Sequence, residues 1–270
     1  MRLADGRELA WLEWGDRTGS PVLMFHGTPG TRRQLLLLTD CGGLPDGVRF
    51  ISPDRPGYGL SSFHPGRTFS DWARDVAQLA GHLGIDRFSV LGVSGGGPHA
   101  LACAAILPER VRAAALVSSV APPAADRMSK QRISAGDRLM AEVQVYVSAH
   151  WPRWALKLLA KSKPGPDGEI FARPEVETAF IEDSASPART TARAMLQDSK
   201  LETSDWGLDL GSITVPIQIW HGALDPTIPV ESARALAAAI PTAEFRMLEG
   251  VGHLLVVDHG GDVVRALVAA

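Results

Sequence analysis

Residues 91–102 read LGVSGGGPHALA and contain a G-x-S-x-G pattern as Gly92-Val93-Ser94-Gly95-Gly96. An apolar run, RFSVLGV, leads into it, and a second, GPHALACAAIL, leads away. A serine between a buried strand and a buried helix is the setting of a nucleophile. The sharp strand-to-helix turn stands Oγ clear of the sheet, and the helix N-terminus aims backbone N–H groups at a developing negative charge. Side chains two residues to either side of such a turn would meet neighbouring backbone, which accounts for Gly92 and Gly96. The N–H of Gly95 is a natural donor to an oxyanion. Pro98 belongs in the first helical turn, where its missing N–H costs nothing. A flexible glycine loop is the plainer reading, and it fits poorly between two apolar elements. The chemistry expected of Ser94 is attack on a carbonyl, which calls for a base, because a free hydroxyl is a poor nucleophile at neutral pH.

Four further segments accompany the serine: FHGTPG (25–30), DRPGYGLS (54–61), WHGALDPTIP (220–229) and GVGHLL (250–255). With the serine turn, they give the chain a pattern that resembles the α/β-hydrolase superfamily over nearly its whole length. The resemblance implies a catalytic triad in the chain order Ser94, Asp225, His253. It implies that the N–H of Thr28 joins that of Gly95 in an oxyanion hole, with the Thr28 hydroxyl a further candidate donor. His26 then holds the backbone of the His26-Gly27 loop, and Gly27, Gly92 and Gly96 support the site. The residues themselves agree. His253 sits on a glycine-flanked loop after a strand, and Asp225 follows a strand end, where parallel-sheet folds place their sites. The competing acid is Asp126, beyond the VSSV strand. Among the other histidines, His99 reads as a structural residue in a buried helix and His221 as a brace for the acid loop. No motif surrounds His64, His82, His150 or His259. Asp54 and Arg55 read as loop braces.

These residues need a frame. PVLMFHG, VRFISPD, RFSVLGVS, VRAAALVSSV, TVPIQIWHG and AEFRMLEG read as strands, with RELAWLEWG before them. TRRQLLLLTD, GPHALACAAILP, VESARALAAAIP and the segment near DVVRALVAA read as helices. FSDWARDVAQLAGHLG spaces Phe69, Trp72, Val76, Leu79, Ala80 and Leu83 at helical intervals, with Ser70 placed to cap its start and Gly84 its end. Strand–helix alternation predicts an α/β fold with a mostly parallel central sheet and helices on both faces. Strand chemistry stops after Pro123 and returns near residue 206. The expected organisation is therefore a core of residues 1–123 and 206–270 with a helical cap, 124–205, inserted in it. The cap carries a large apolar load, including Met128, Leu139, Met140, Trp151, Trp154 and Leu158, most of it read as packing.

Composition bounds the function. The chain has 270 residues, with 27 Lys and Arg against 30 Asp and Glu, for a net charge of −3. No basic patch points to nucleic acid, and no apolar run is long enough to span a bilayer. Cys41 and Cys103 are read as buried free thiols, and no signal-peptide pattern is found, so a cytoplasmic location is expected. No metal-ligand spacing and no phosphate or dinucleotide fingerprint occurs, so neither metal nor cofactor is expected. The expected partner is a small-molecule substrate; monomer and homodimer both stay open. The expected function is hydrolysis of a carboxylic ester or lactone of a small, largely apolar substrate. The alternatives are a proline-iminopeptidase-like or amide hydrolase, a cofactor-free C–C hydrolase or cyclase, and a ligand-binding receptor of the same fold. The peptidase branch usually has tryptophan after the nucleophile, where this chain has Gly95.

Overall fold

The structure, a computed structural model, describes residues 1–39, 43–123, 165–185 and 191–270. Its strands are β1 (Trp11–Gly15), β2 (Ser20–Phe25), β3 (Val48–Pro53), β4 (Phe88–Val93), β5 (Val111–Val117), β6 (Ile217–Gly222) and β7 (Ala243–Leu248). They form one sheet in the order β1-β3-β2-β4-β5-β6-β7. β1 runs antiparallel to β3, and every other pairing is parallel. The expected mostly parallel α/β sheet is therefore present.

The described helices are α1 (Leu35–Thr39), α2 (Phe69–His82), α3 (Gly97–Ile106), α4 (Pro166–Phe171), α5 (Pro174–Ala185), α6 (Ala192–Glu202), α7 (Val230–Ala238) and α8 (Leu255–Ala269). Successive strand residues point to opposite faces, and both faces are covered. Leu23, Phe25, Val90, Leu116 and Ile219 join residues of α2, α3 and α7 in one core cluster. Val22, Met24, Leu91, Ala115 and Val117 join residues of α1 and α8 in the other. Burial on both sides explains why these strands read as continuous apolar runs rather than alternating ones.

The start of α2 differs from the sequence expectation. The N-cap is Thr68, not Ser70, which lies inside the helix. Thr68 and Asp71 close a reciprocal capping box, with the Asp71 N–H donating to Thr68 Oγ1 and the Thr68 N–H to Asp71 Oδ2. Either hydroxyl suits a cap; the Asp three residues on selects Thr68, because the box satisfies two otherwise orphaned donors. At the other end, Gly84 lies just past the cap with φ +66°.

Strand order sets the position of the site. From β2 the chain moves outward to β3 and then crosses back to β4, so β2 and β4 are neighbours whose connections leave in opposite directions. The crevice beyond their C-terminal ends is a topological switch point, where open α/β sheets bind ligands. The 25–30 loop leaves β2 there, and Ser94 leaves β4. Between β5 and β6 the described residues contain only helices, α4 to α6 and one short turn of 3-10 helix. Cys41, Asp126, His150 and the apolar residues from Met128 to Leu158 lie outside the described residues. Cys103 is a buried free thiol, its pKa raised by burial.

Candidate active site

Ser94 begins a one-turn 3-10 helix between β4 and α3, at φ +53°. Left-handed backbone at a non-glycine residue costs about 1–3 kcal/mol and persists only where its surroundings impose it. Here they do. A Cβ on Gly92 would lie 2.5 Å from the Gly96 carbonyl oxygen, and one on Gly96 would overlap the Phe25 carbonyl of β2. The turn therefore lies tight against its own start and against the neighbouring strand, which leaves Ser94 at the crest.

His253 meets it from the loop before α8. Its Nε2 lies 3.2 Å from Ser94 Oγ, and its Nδ1 lies 2.8 Å from Asp225 Oδ2. A carboxylate only accepts, so Nδ1 carries the imidazole proton and Nε2 is left to accept from the serine. Asp225 is fixed in turn, since its Oδ1 accepts from the N–H groups of Thr227 and Ile228 at 2.8 and 2.9 Å. Burial opposes the charge on Asp225, but hydrogen bonds from His253 and these backbone groups hold its pKa below the ordinary value. His221 is buried behind the acid loop and donates from Nε2 to the Ile228 carbonyl at 2.9 Å. The three residues expected to form a triad are thus brought into one hydrogen-bonded chain.

The other flank is built from the loop after β2. A Cβ on Gly95 would lie 2.6 Å from Thr28 Oγ1, so Thr28 and Gly95 are side by side. The buried His26 donates from Nδ1 to the Gly27 carbonyl at 2.9 Å and accepts the Arg55 N–H on Nε2 at 3.1 Å. Burial, then the Arg55 charge, pushes its pKa well down, so the ring is neutral. The Arg55 guanidinium donates to the His26 carbonyl and, at 2.7 Å, to Thr28 Oγ1. With one lone pair of that hydroxyl engaged, its own proton is directed away from Arg55. His99 donates from Nδ1 to the Gly95 carbonyl at 3.0 Å, and burial depresses its pKa to about 3.

Sequence reasoning missed how the β5–β6 segment holds these loops. Asp198, on α6, receives Arg55 at 2.8 Å and also Arg67, and all three side chains are almost wholly buried. Burial alone would raise the Asp198 pKa, yet the two guanidinium groups hold it far below the ordinary range. Glu202, a turn further along α6, has a fully buried Oε1 without a hydrogen-bond partner. That oxygen lies 2.7 Å from where a Cβ on Gly95 would stand. Burial, reinforced by the neighbouring Asp198, pushes the Glu202 pKa up to about 8. Asp183, on α5, accepts from Thr31 Oγ1 at the end of the 25–30 loop. Nothing local marks Asp183, Asp198 or Glu202 in the sequence. Asp167 stands in a Gly-Pro-Asp run, which is a local helix-start signal but says nothing of what the carboxylate faces.

Among the described residues no cluster of three or more His, Cys, Asp or Glu side chains could hold a metal ion, and no helix is long and apolar enough to cross a membrane. Comparison with known proteins agrees with the architecture. A model of the alpha/beta hydrolase fold matches residues 20–260. The chain is 26% identical to a non-heme chloroperoxidase of Streptomyces lividans, over 95% of this chain and 93% of that protein. It is also 26% identical to a proline iminopeptidase of Neisseria gonorrhoeae, over 94% of this chain and 89% of that protein. A thermophilic esterase from Thermogutta terrifontis superposes with a TM-score of 0.71 at 26% identity, covering 99% of this chain and 94% of that one. With a doubly covered parallel sheet, a serine at its switch point and a family match over most of its length, the chain belongs to the alpha/beta hydrolase fold family and is an enzyme of that family.

Proposed function

We propose that the protein is a serine hydrolase that cleaves a carboxylic ester or lactone of a small, largely apolar substrate. The observation that carries this reading is the Ser94–His253–Asp225 chain of hydrogen bonds at the switch point. In the proposed cycle, Ser94 Oγ attacks the carbonyl carbon while His253 Nε2 takes its proton. Asp225 keeps Nδ1 protonated and stabilises the imidazolium. The N–H groups of Thr28 and Gly95 hold the tetrahedral oxyanion. Collapse expels the alcohol, protonated by His253, and leaves an acyl-enzyme on Ser94. A water deprotonated by His253 then releases the acid and restores the serine.

The relatives' names cover an esterase, a haloperoxidase and an iminopeptidase, so the family match alone does not select among them. Gly95 favours the ester reading. The space a side chain there would enter is occupied by the Thr28 and Glu202 side chains, where the resemblance gives iminopeptidases a tryptophan. Residues 124–205 are proposed as a cap over the crevice, inserted in a core of 1–123 and 206–270. The test is a panel of nitrophenyl esters of graded acyl length, lactones of graded ring size and proline arylamides, run on wild type and Ser94→Ala. Ester or lactone turnover that falls by roughly 10⁶-fold in Ser94→Ala supports the reading. Equal turnover by the variant, or turnover of arylamides alone, overturns it.

A further inference from the structure

The histidine loop is not held by the core alone. Asp167, the second residue of α4, is buried at 4% exposure. Its Oδ2 accepts the backbone N–H of His253 at 3.1 Å, and its Oδ1 accepts that of Leu254 at 2.9 Å. On the other side of the same residue, Ser118 Oγ donates to the His253 carbonyl at 2.8 Å. The main chain of His253 is therefore gripped at both its N–H and its C=O by residues remote in sequence. Gly252 is shaped to this arrangement. The three atoms nearest a Cβ placed there all belong to the Asp167 carboxylate, with Cγ at 2.7 Å. Leu254 precedes α8, so the two N–H groups also lie at the positive end of a 15-residue helix, where an anion is favoured.

We propose that Asp167 is a positioning residue for the hydrolytic reaction, setting the approach of the His253 imidazole to Ser94 through the backbone of residues 253 and 254. The inference rests on the hydrolase reading above. Asp167 touches neither nucleophile nor substrate. It converts the placement of a segment between β5 and β6 into the placement of a base carried just before α8. One carboxylate satisfies two adjacent donors that would otherwise be orphans at a helix start. Losing it frees the loop to rotate, and misplacing a reacting group by about 1 Å costs on the order of 100-fold in rate.

The experiment is a double-mutant cycle in the full-length enzyme on a short nitrophenyl ester, with kcat and KM read separately. The variants are Asp167→Ala, Gly252→Ala, the two combined, and Asp167→Asn. Asp167→Ala is expected to lower kcat about 10- to 100-fold with KM within about threefold. Gly252→Ala displaces the carboxylate without removing it, so alone it lowers kcat comparably. Added to Asp167→Ala it changes little, because the atoms it would strike are gone; that non-additivity is the signature of one shared contact. Asp167→Asn keeps the shape and one acceptor, and falls between. Labelling of Ser94 by a fluorophosphonate slows in parallel with kcat. If Asp167→Ala folds poorly, Asp167→Asn and Gly252→Ala carry the test. Wild-type kcat in folded Asp167 variants, or losses that multiply in the double variant, overturn the proposal. A Ser94→Ala enzyme that stays active defeats the hydrolase reading itself; an inactive Ser94→Ala beside an unimpaired Asp167→Ala defeats the positioning role alone.

Discussion

On the Thr28 flank of Ser94, three full charges, Arg55, Arg67 and Asp198, are sealed in the interior and reach the 25–30 loop through Arg55. On the opposite flank, His253 keeps 17% of its side chain exposed and is held by hydrogen bonds, its backbone by Asp167 and Ser118 and its ring by Asp225. The difference fits the work proposed for each side. Oxyanion donors stabilise charge best when they need no reorganisation, and a buried ion cluster with fixed geometry resists displacement. A base has to exchange a proton with the serine, the leaving group and water in turn, so it needs an open edge. In both flanks a carboxylate from the β5–β6 segment ends on a loop of the sheet's C-terminal edge: Asp198 on one side, Asp167 on the other.

The comparison can be broken from either side. The largest effect is expected at Asp225. An asparagine there keeps its carbonyl toward the Thr227 and Ile228 N–H groups and turns its amide toward His253. The imidazole proton then moves to Nε2, which no longer accepts from Ser94, and kcat falls by about 10⁴-fold with little loss of stability. Asp198→Asn should do the reverse. It leaves two buried guanidinium groups against a neutral amide, at a cost of about 3–5 kcal/mol read in urea unfolding. A variant that unfolded at the wild-type midpoint would show that the ion cluster is not what fixes this flank.

Glu202 sharpens the same contrast through pH. Its carboxyl titrates near 8 in the folded protein against an ordinary 4.5. A raised acid pKa means that the folded state holds a proton which the unfolded state has lost. Its contribution is therefore complete only well below pH 4.5 and declines as pH rises to about 8. Glutamine mimics the protonated acid at every pH. Glu202→Gln should match wild type below about pH 4 and become progressively more stable than it up to about pH 8, as read by thermal unfolding across that range. Parallel curves for the two proteins would refute the assignment. The smallest effect belongs to Ser118→Ala, which removes one hydrogen bond to the His253 carbonyl. About 1 kcal/mol, a several-fold fall in kcat, is expected, against no change in KM.

Much of this molecule was legible in its sequence. Continuous apolar runs announced strands buried on both faces, and glycines around Ser94 announced a turn with no room for side chains. Asp225 and His253 could be found because each sits in a short loop at a strand end, with local neighbours that mark it. Thr68 was missed as the cap of α2 because the deciding partner, Asp71, lies three residues on. Asp167, Asp183, Asp198 and Glu202 were invisible as partners of the site's loops for a different reason. Their partners stand 86, 152, 143 and 107 positions away, counted to His253, Thr31, Arg55 and Gly95, and a lone acid on a helix carries no sign of what it faces.

The sequence by itself determined the class of fold, through periodicity, and the serine turn, through local sterics; its resemblance to the α/β-hydrolase superfamily pointed to the three residues brought together there. Only the tertiary structure decided what holds them. Burial makes an unpaired charge or a free backbone N–H expensive, so the partners of Arg55 and of the His253 loop are set by which elements the sheet brings together, not by adjacency in the chain. That selection placed one acid of α6 beneath the 25–30 loop and one of α4 beneath the histidine loop.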